Sequence, residues 1–432
     1  MSSYGEGCSI INGVDDVFSK HKLKVKGWAQ SGQKPPDNIT KDGKTVTFAG
    51  MAWQPELDVY SLNHPPLHFA QKIRGRLPND IKVFDSSNGK MAEFVPQKLS
   101  RRMITSKLMS RFDLMGKEAP LTLKFKFDLR NLIKVNPDWD LPVDDSTRKL
   151  WIDNFQMMEN TRNFWFARSP VPMDAVDCKK MIVWIKSDAA ERGGIMVGAW
   201  SSYKRRDGSF SCSHLFGRGL LCSESLSTPK LELHGLSSAA NVKVMIENAI
   251  NEWVQVIHVG TDSEISLSWV LYENNKLDVF TRNRSNNIRS KVPLESLHWV
   301  EGRENLSDTG TRPENVTEKT ISPDSEWILG KTWMQKSYDE ALASGVIKKA
   351  SDVQLSHESK KKMKEGLLIE EDYERRVHGF LVRTSQNHAD KIAECELSSN
   401  YIYPPLKYSF RRYVRTVACI HLAVKKFKRF AL

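Results

Sequence analysis

The chain reads as an α/β fold, a five-stranded mixed sheet with flanking helices. An N-terminal α+β region precedes the sheet and a mainly helical C-terminal segment follows it. Two observations lead to this fold class, and a third gives it a purpose. The first is Met181-Ile-Val-Trp-Ile-Lys-Ser-Asp188. Its opening apolar residues, β-branched and aromatic among them, are too few for a helix and read as a buried strand. The second is the order of elements: three strands, a helix, a strand, helices, a strand and a helix, an alternation that builds stacked layers. The third is that acidic residues fall where strands end.

The first strand, expected over 181–188, stops on a carboxylate. Ala189-Ala-Glu-Arg-Gly-Gly194 turns the chain, and 195–203 runs back antiparallel. After Lys204-Arg-Arg-Asp-Gly208, residues 209–216 add a third strand. Thr228-Pro229 signals a helix start, with Thr228 as N-cap and Pro229 at the first helical position. The helix expected over 230–251 then carries Glu232 in its first turn. Residues 254–259 form a second buried strand leading into Gly260-Thr261-Asp262. Helical segments extend to about residue 289, a strand follows over 297–300, and Asp308 opens a last helix after Glu304-Asn-Leu-Ser307. A right-handed crossover through the helix makes 181–188 and 254–259 parallel neighbours. Ligand sites in such sheets lie beyond the carboxyl ends of the strands.

Residues 1–165 form the region ahead of the sheet. A basic run from Lys20 to Lys26 leads to Trp28 and a Gly/Pro/Asn-rich loop near Asn38. Val14-Asp15-Asp16 lacks the hydrophobic hairpin that frames a polymerase aspartate pair. Residues 46–53 read as one strand. Residues 99–112 read as a helix, with Leu99, Met103, Leu108, Met109 and Phe112 on its apolar face. Pro137-Asp-Trp-Asp-Leu-Pro142 breaks the chain before a helix over 146–158. The sheet domain is expected over 175–313, and 314–432 as a basic helical tail. In that tail Phe410, Tyr413, Val414, Val417, Ile420, Val424 and Phe427 form one stripe, expected to pack on its own domain.

Bulk properties narrow the partners. A formal charge of +12 and a pI near 9.2 favour an acidic partner, most simply nucleic acid. The six cysteines are scattered without a Cys-x-x-Cys pair, which argues against zinc or redox chemistry. With no signal peptide, a reducing compartment, cytoplasmic or nuclear, is expected. No apolar run is long enough to span a bilayer, so no membrane partner is expected.

Asp188, Glu232, Asp262 and Asp308 converge if the sheet closes in this way. Two carboxylates ~4 Å apart repel by roughly 4 kcal/mol at an effective dielectric near 20, so such a cluster binds cations or takes up protons. Oxygen-only ligation suits two Mg²⁺ or Mn²⁺ ions, a pair able to hydrolyse a phosphodiester. Arg282, Arg284, Arg289 and Lys291 form a basic set that reads either as phosphate contacts or as a solvated face.

The stretch 181–312 resembles the ribonuclease H domain of the Pol polyproteins of BEL/Pao-type LTR retrotransposons. The likeness rests on Ser187-Asp-Ala189, Ser227-Thr-Pro-Lys-Leu-Glu-Leu233, Thr261-Asp-Ser-Glu264, Phe280-Thr-Arg-Asn-Arg284 and His298-Trp-Val-Glu-Gly-Arg-Glu-Asn-Leu-Ser-Asp308. Upstream, Gly50-Met-Ala-Trp53, Arg111-Phe-Asp-Leu-Met-Gly116, Ala119-Pro120 and Asn136-Pro-Asp-Trp139 resemble the reverse transcriptase connection region, with the polymerase palm absent. Residues 401–430 resemble the piece ahead of an integrase. The resemblance implies a ribonuclease H-like fold and cleavage of the RNA strand of RNA/DNA hybrids, with a reverse transcriptase subunit or other Pol-derived chain as partner. It implies that Asp188 bridges both ions, that Asp308 holds the ion activating water, and that Glu232 and Asp262 hold the ion on the leaving-group side. Departures from the family pattern are Gly260 in place of Trp, Lys230 in place of Arg, Leu306-Ser307 in place of Pro-Ala, and Trp299 in place of His.

Two other classes compete. Asp308-Thr309-Gly310 spells an aspartic peptidase signature, and part of Pao-type polyproteins carries a peptidase name. A peptidase aspartate follows an apolar strand, however, whereas Arg303-Glu-Asn-Leu-Ser307 is polar. The other class is a catalytically silent retroelement remnant that binds nucleic acid without turnover.

Overall fold

A computed structural model of the chain describes residues 4–70, 78–87, 89–271 and 277–367. The stripe expected over 409–430 lies outside the described residues. The chain opens with helix α1 (Tyr4–Lys20), for which the sequence pattern carried no expectation. Strands β1 (Val46–Phe48), β2 (Met51–Gln54) and β3 (Val59–Ser61) follow. The single strand expected over 46–53 is thus a hairpin. Phe48 pairs with Met51, and the two residues between them, Ala49 and Gly50, take φ values of 49° and 84°. A two-residue hairpin turn matches the strand twist only with such left-handed residues. An alanine at the first position hides that signal.

Helices α2 (Met91–Phe94), α3 (Arg101–Met109), α4 (Ala119–Val135) and α5 (Asp145–Asn160) come next. Ser100 caps α3 by accepting from the Met103 N–H, and Asp144 caps α5 by accepting from Thr147. On α3, Leu108 is buried with Ile104 and the preceding Leu99, but Met109 and Phe112 are exposed because the helix ends at Met109. Helix α4 was not anticipated. Its apolar residues Leu121, Leu123, Phe125, Phe127 and Leu129 alternate like those of a strand, and all are buried. The helix is covered on several sides, so no single stripe marks it. β4 (Phe166–Ala167) then pairs with β3.

The main sheet is built from β5 (Met181–Ala190), β6 (Gly194–Lys204) and β7 (Phe210–Leu221), with helix α6 (Thr228–Ile250) leading to β8 (Val254–Thr261). Helices α7 (Glu264–Leu271) and α8 (Val279–Arg289) precede β9 (Leu297–Val300). Short helices α9 (Asp308–Thr311), α10 (Glu326–Leu329) and α11 (Tyr338–Ala343) lead to β10 (Ile347–Lys349), followed by α12 (His357–Lys362). The strand order is β10-β9-β8-β5-β6-β7, and β8 runs parallel to both β5 and β9. This is a mixed sheet with flanking helices, as expected, but six-stranded rather than five-stranded.

The sixth strand corrects the reading of 314 onward as a separate helical tail. Ile347-Lys-Lys349 pairs antiparallel with β9, and residues through Leu367 pack in one compact unit with the regions expected at 1–165 and 175–313. Three residues, two of them lysines, carry almost no strand signal, although lysine suits an exposed edge. Two smaller corrections concern boundaries. β5 does not stop at Asp188 but continues to Ala190, which pairs with Gly194. The N-cap of α6 is Ser227 and not Thr228, so Glu232 sits one turn inside the helix.

Alternation along β5 divides two cores. Met181, Val183 and Ile185 face α6, α7 and the apolar residues of β8. Trp184 faces the opposite layer with Trp200, Trp327, Trp333 and the apolar residues of α4. Lys186 and Asp188 follow Trp184 at a spacing of two and therefore share its face.

Candidate active site

The register between β5 and β8 explains why two of the acids meet. The parallel ladder closes at Lys186 opposite Gly260. Two residues further on are Asp188, still on β5, and Asp262, one residue past the end of β8, both beyond the last β5–β8 pairing. Helix α6 packs across β5, with Gly235 so close that a Cβ there would lie 3.5 Å from the Ser187 side chain. This brings Glu232, one turn earlier, to the same end. Helix α9 reaches β6 from the other side, where a Cβ on Gly310 would lie 2.2 Å from Met196. Glycine at that position lets Asp308 and Thr311 approach.

Hydrogen bonds fix the four carboxylates. The Thr311 hydroxyl donates to Asp188. Ser263 donates to Glu232 at 2.6 Å, and Asn305 donates both to the Ser187 carbonyl at 3.0 Å and to Asp262 at 3.3 Å. Asp308 pairs with Arg312 at 2.8 Å. Burial, followed by the charge of Asp188, pushes Glu232 up to about 7. Asp262 is likewise raised to about 7 by burial, Asp188 and Glu232 in that order. Burial raises Asp188 as well, and Asp308 adds to the effect. Asp308, Glu232 and Asp262 are therefore each within electrostatic reach of Asp188.

The donor set is entirely oxygen and carries a like charge, which fits Mg²⁺ or Mn²⁺. Among the described residues, no three His, Cys, Asp or Glu side chains are arranged about one point as ligands. The carboxylates are held instead by Thr311, Ser263, Asn305 and Arg312, so loading requires those bonds to be exchanged.

Beneath the acids lies a polar floor that the sequence reading missed. Lys186 is fully buried, its Nζ contacts His298 Nε2, and it stands 4.7 Å over the Trp333 ring. Burial drives both Lys186 and His298 well below their ordinary values. His258 stacks between Trp184 and Tyr338 at 4.9 and 4.1 Å. A Cβ on Gly260 would lie 2.5 Å from His298 Nε2 and 2.7 Å from Lys186 Nζ. The buried Lys186–His298 pair thus occupies the space beside the position where the resembled family carries Trp. The available signal was a lysine inside a buried apolar strand, two residues before the acid. Trp299 donates its indole N–H to the Asp262 carbonyl at 2.9 Å and so supports the loop that carries the carboxylate.

The basic set divides. Arg289 donates to the carbonyls of Val270 and Trp269 at the end of α7. Lys291 bridges Asn241 and Asn287, and Arg284 lies 3.4 Å over the Phe280 ring. Arg282 is exposed and has no ion-pair partner among the described residues. The Lys230–Asp278 pair, at 2.8 Å, fastens the start of α8 to the first turn of α6.

Residues 100–263 match the Pao retrotransposon-like RNaseH-like domain. The matched range contains Asp188, Glu232 and Asp262 and ends before Asp308. It begins at the cap of α3, so it also takes in Arg111–Gly116 and Asn136–Trp139, the segments that resemble a connection region. No curated protein matches the chain. The match supports a Pao-type, ribonuclease H-like region, consistent with the six-stranded mixed sheet, and suggests a nuclease-type function. No helix among the described residues is long and apolar enough to cross a membrane. Asp308 opens the four-residue α9 after a polar 3-10 turn, without the apolar strand that precedes a peptidase aspartate.

Proposed function

We propose that the protein is a metal-dependent endonuclease that hydrolyses the RNA strand of RNA/DNA hybrids. The observation that carries this reading is the placement of Asp188, Glu232 and Asp262, with Asp308 beside Asp188, at one end of the sheet, where burial and mutual repulsion raise the first three carboxyls. Divalent cations relieve that repulsion. Asp188, central to the set, would contact both ions, with Asp308 on the water side and Glu232 and Asp262 on the leaving-group side. A bound pair of Mg²⁺ or Mn²⁺ ions would activate a water and neutralise the leaving oxygen. The water oxygen bonds to phosphorus, the P–O3′ bond breaks, and the products are a 3′-hydroxyl and a 5′-phosphate. Glu232 would also meet the ribose 2′-hydroxyl that separates RNA from DNA. Arg282, exposed on a helix fastened to α6, supplies a phosphate contact along the duplex, and a polymerase-type partner would hold the rest of the hybrid.

A second reading, a silent nucleic-acid binder, draws on the bonds that Thr311 and Arg312 make to Asp188 and Asp308. Labelled hybrid incubated with the purified chain in Mg²⁺ or Mn²⁺ separates the two. The nuclease reading expects cleavage that EDTA abolishes and that Asp188→Asn lowers by at least about a thousandfold, roughly 4 kcal/mol of barrier. Salt-sensitive binding without turnover would replace it with the binder. Cleavage of a peptide blocked by pepstatin would replace both.

A further inference from the structure

Away from the carboxylates, a cavity of about 450 Å³ lies between the small sheet and β7, within the roughly 300–1,000 Å³ usual for small-ligand sites. Its walls are apolar, with the aromatic rings of Phe48, Trp53, Tyr60 and Phe166 set among Met, Leu, Ile and Pro side chains. Its floor is polar. His214 is 3% exposed and lines the cavity. Apart from its own main chain, neither of its ring nitrogens has a hydrogen-bond partner among the described residues. Trp200 and Trp327 hold the ring, with centroids 6.0 and 5.0 Å away. Lys117, also buried, donates to the His214 carbonyl at 2.9 Å, which leaves two of its three N–H groups to offer. At the rim, Arg168 is gripped by Asp58 and lies 5.5 Å over the Trp53 ring.

These features select a ligand class. An aliphatic occupant would leave His214 and Lys117 unsatisfied, and a bare anion would make no use of the aromatic walls. A flat heteroaromatic ring with donor and acceptor atoms along one edge uses both. Burial keeps His214 neutral, so it presents one donor and one acceptor, and lowers Lys117 to about 8 despite the nearby Asp113. The +12 charge of the chain favours a ring attached to phosphate.

We propose that this cavity binds an unpaired nucleobase, stacked on its aromatic walls and hydrogen-bonded along one edge to His214 and Lys117, with Arg168 facing the attached phosphate. The base can come from a free nucleotide or from a single-stranded end. Binding needs neither the carboxylates nor a divalent ion, so it stands or falls apart from hybrid cleavage.

The test is calorimetric titration of the full chain in EDTA with the four nucleoside monophosphates, short single-stranded oligonucleotides, ribose 5-phosphate and indole. Saturable binding of monophosphates identifies a nucleotide site, and binding of oligonucleotides alone identifies a strand-end site. Either result supports the proposal, provided ribose 5-phosphate and indole bind at least tenfold more weakly. Trp53→Ala should weaken binding by about tenfold or more, the size of one lost base stack, and His214→Leu should reduce discrimination among the bases. Should His214→Leu fail to fold, the partly exposed Trp53 carries the test. Absence of saturable binding by any nucleotide or oligonucleotide, or binding unchanged in Trp53→Ala, overturns the proposal.

Discussion

Among the described residues, Glu118 ahead of the sheet and the carboxylates at the end of β5 are both buried, and their neighbours move them in opposite directions. In the joint ahead of the sheet, Glu118 accepts from Arg111 at 2.6 Å and contacts His64 at 3.0 Å. Burial alone would raise its carboxyl, but Arg111 and His64 outweigh it and bring the group down to about 2. At the far end of β5 burial meets other acids instead, and Glu232 and Asp262 rise to about 7. In the joint the cations decide the charge of Glu118, although Asp113 beside it, held by the Lys117 and Glu118 N–H groups, is itself raised by burial and by the Glu118 charge. The carboxylate cluster is complete only with protons or with cations. Paired buried charge marks architecture, and unpaired buried charge of one sign marks a place built for something else.

The sharpest way to break this contrast is to neutralise one member of each cluster and measure stability by chemical denaturation in EDTA. Glu118→Gln strands Arg111 and His64 and should cost about 3–5 kcal/mol, as expected when a buried ion pair loses one partner. The same change at the other end, Asp262→Asn, should stabilise the metal-free protein by about 1–2 kcal/mol at pH 8, because it removes repulsion. A destabilising Asp262→Asn would mean that this carboxylate is structural, and the distinction would fail.

pH separates the clusters next, and with opposite signs. Asp262 and Glu232 have folded values above their unfolded ones. Between about pH 4 and 7 the folded chain therefore holds protons that the unfolded chain has released, and stability falls as pH rises through that window. The loss should be on the order of 2–3 kcal/mol in EDTA, should be smaller in Asp262→Asn, and should be offset by Mn²⁺ as it displaces the protons. Glu118 behaves in the reverse sense. Its contribution is present above its unfolded value and disappears only as pH falls through about 2. Stability curves from about pH 2 to 8, with and without Mn²⁺, check both.

Much of this was legible beforehand, and what was hidden has physical reasons. The strands around 181–188, 195–203, 254–259 and 297–300 announce themselves through β-branched and aromatic runs that only a buried sheet explains. The Ser227-Thr-Pro229 start of α6 places Glu232 within one turn. One parallel register then brings Asp188 and Asp262 to the same end, while Glu232 and Asp308 depend on how α6 and α9 pack. Hidden were elements whose local pattern disagrees with their final state. Helix α4 alternates like a strand because it is buried on several sides. β10 is a three-residue edge whose pairing depends on a neighbour 47 positions earlier, Ile347 with Val300. The Lys186–His298 floor pairs residues from strands that are not adjacent in the sheet. Arg111-Phe-Asp-Leu-Met-Gly116 was visible as a motif but not as a joint. Gly116, at φ 69°, presses so closely on Gly217 that a Cβ would lie 1.8 Å from its carbonyl.

The basic set after Asp262 extends the same contrast to cations, with the smallest expected effects. Arg289 has its guanidinium committed to the Val270 and Trp269 carbonyls, where it completes the end of α7. Arg289→Ala should therefore cost about 1–2 kcal/mol of stability and leave the salt dependence of hybrid binding unchanged. Arg282 is exposed, so Arg282→Ala should leave stability within about 0.5 kcal/mol of the parent. If it meets a phosphate, its loss should weaken hybrid binding only a few-fold and reduce the slope of log affinity against log salt by about one. Binding isotherms from roughly 50 to 200 mM salt decide the matter. Equal slopes in Arg282→Ala and the parent chain would move Arg282 to the solvated face and leave the phosphate contacts to be found elsewhere.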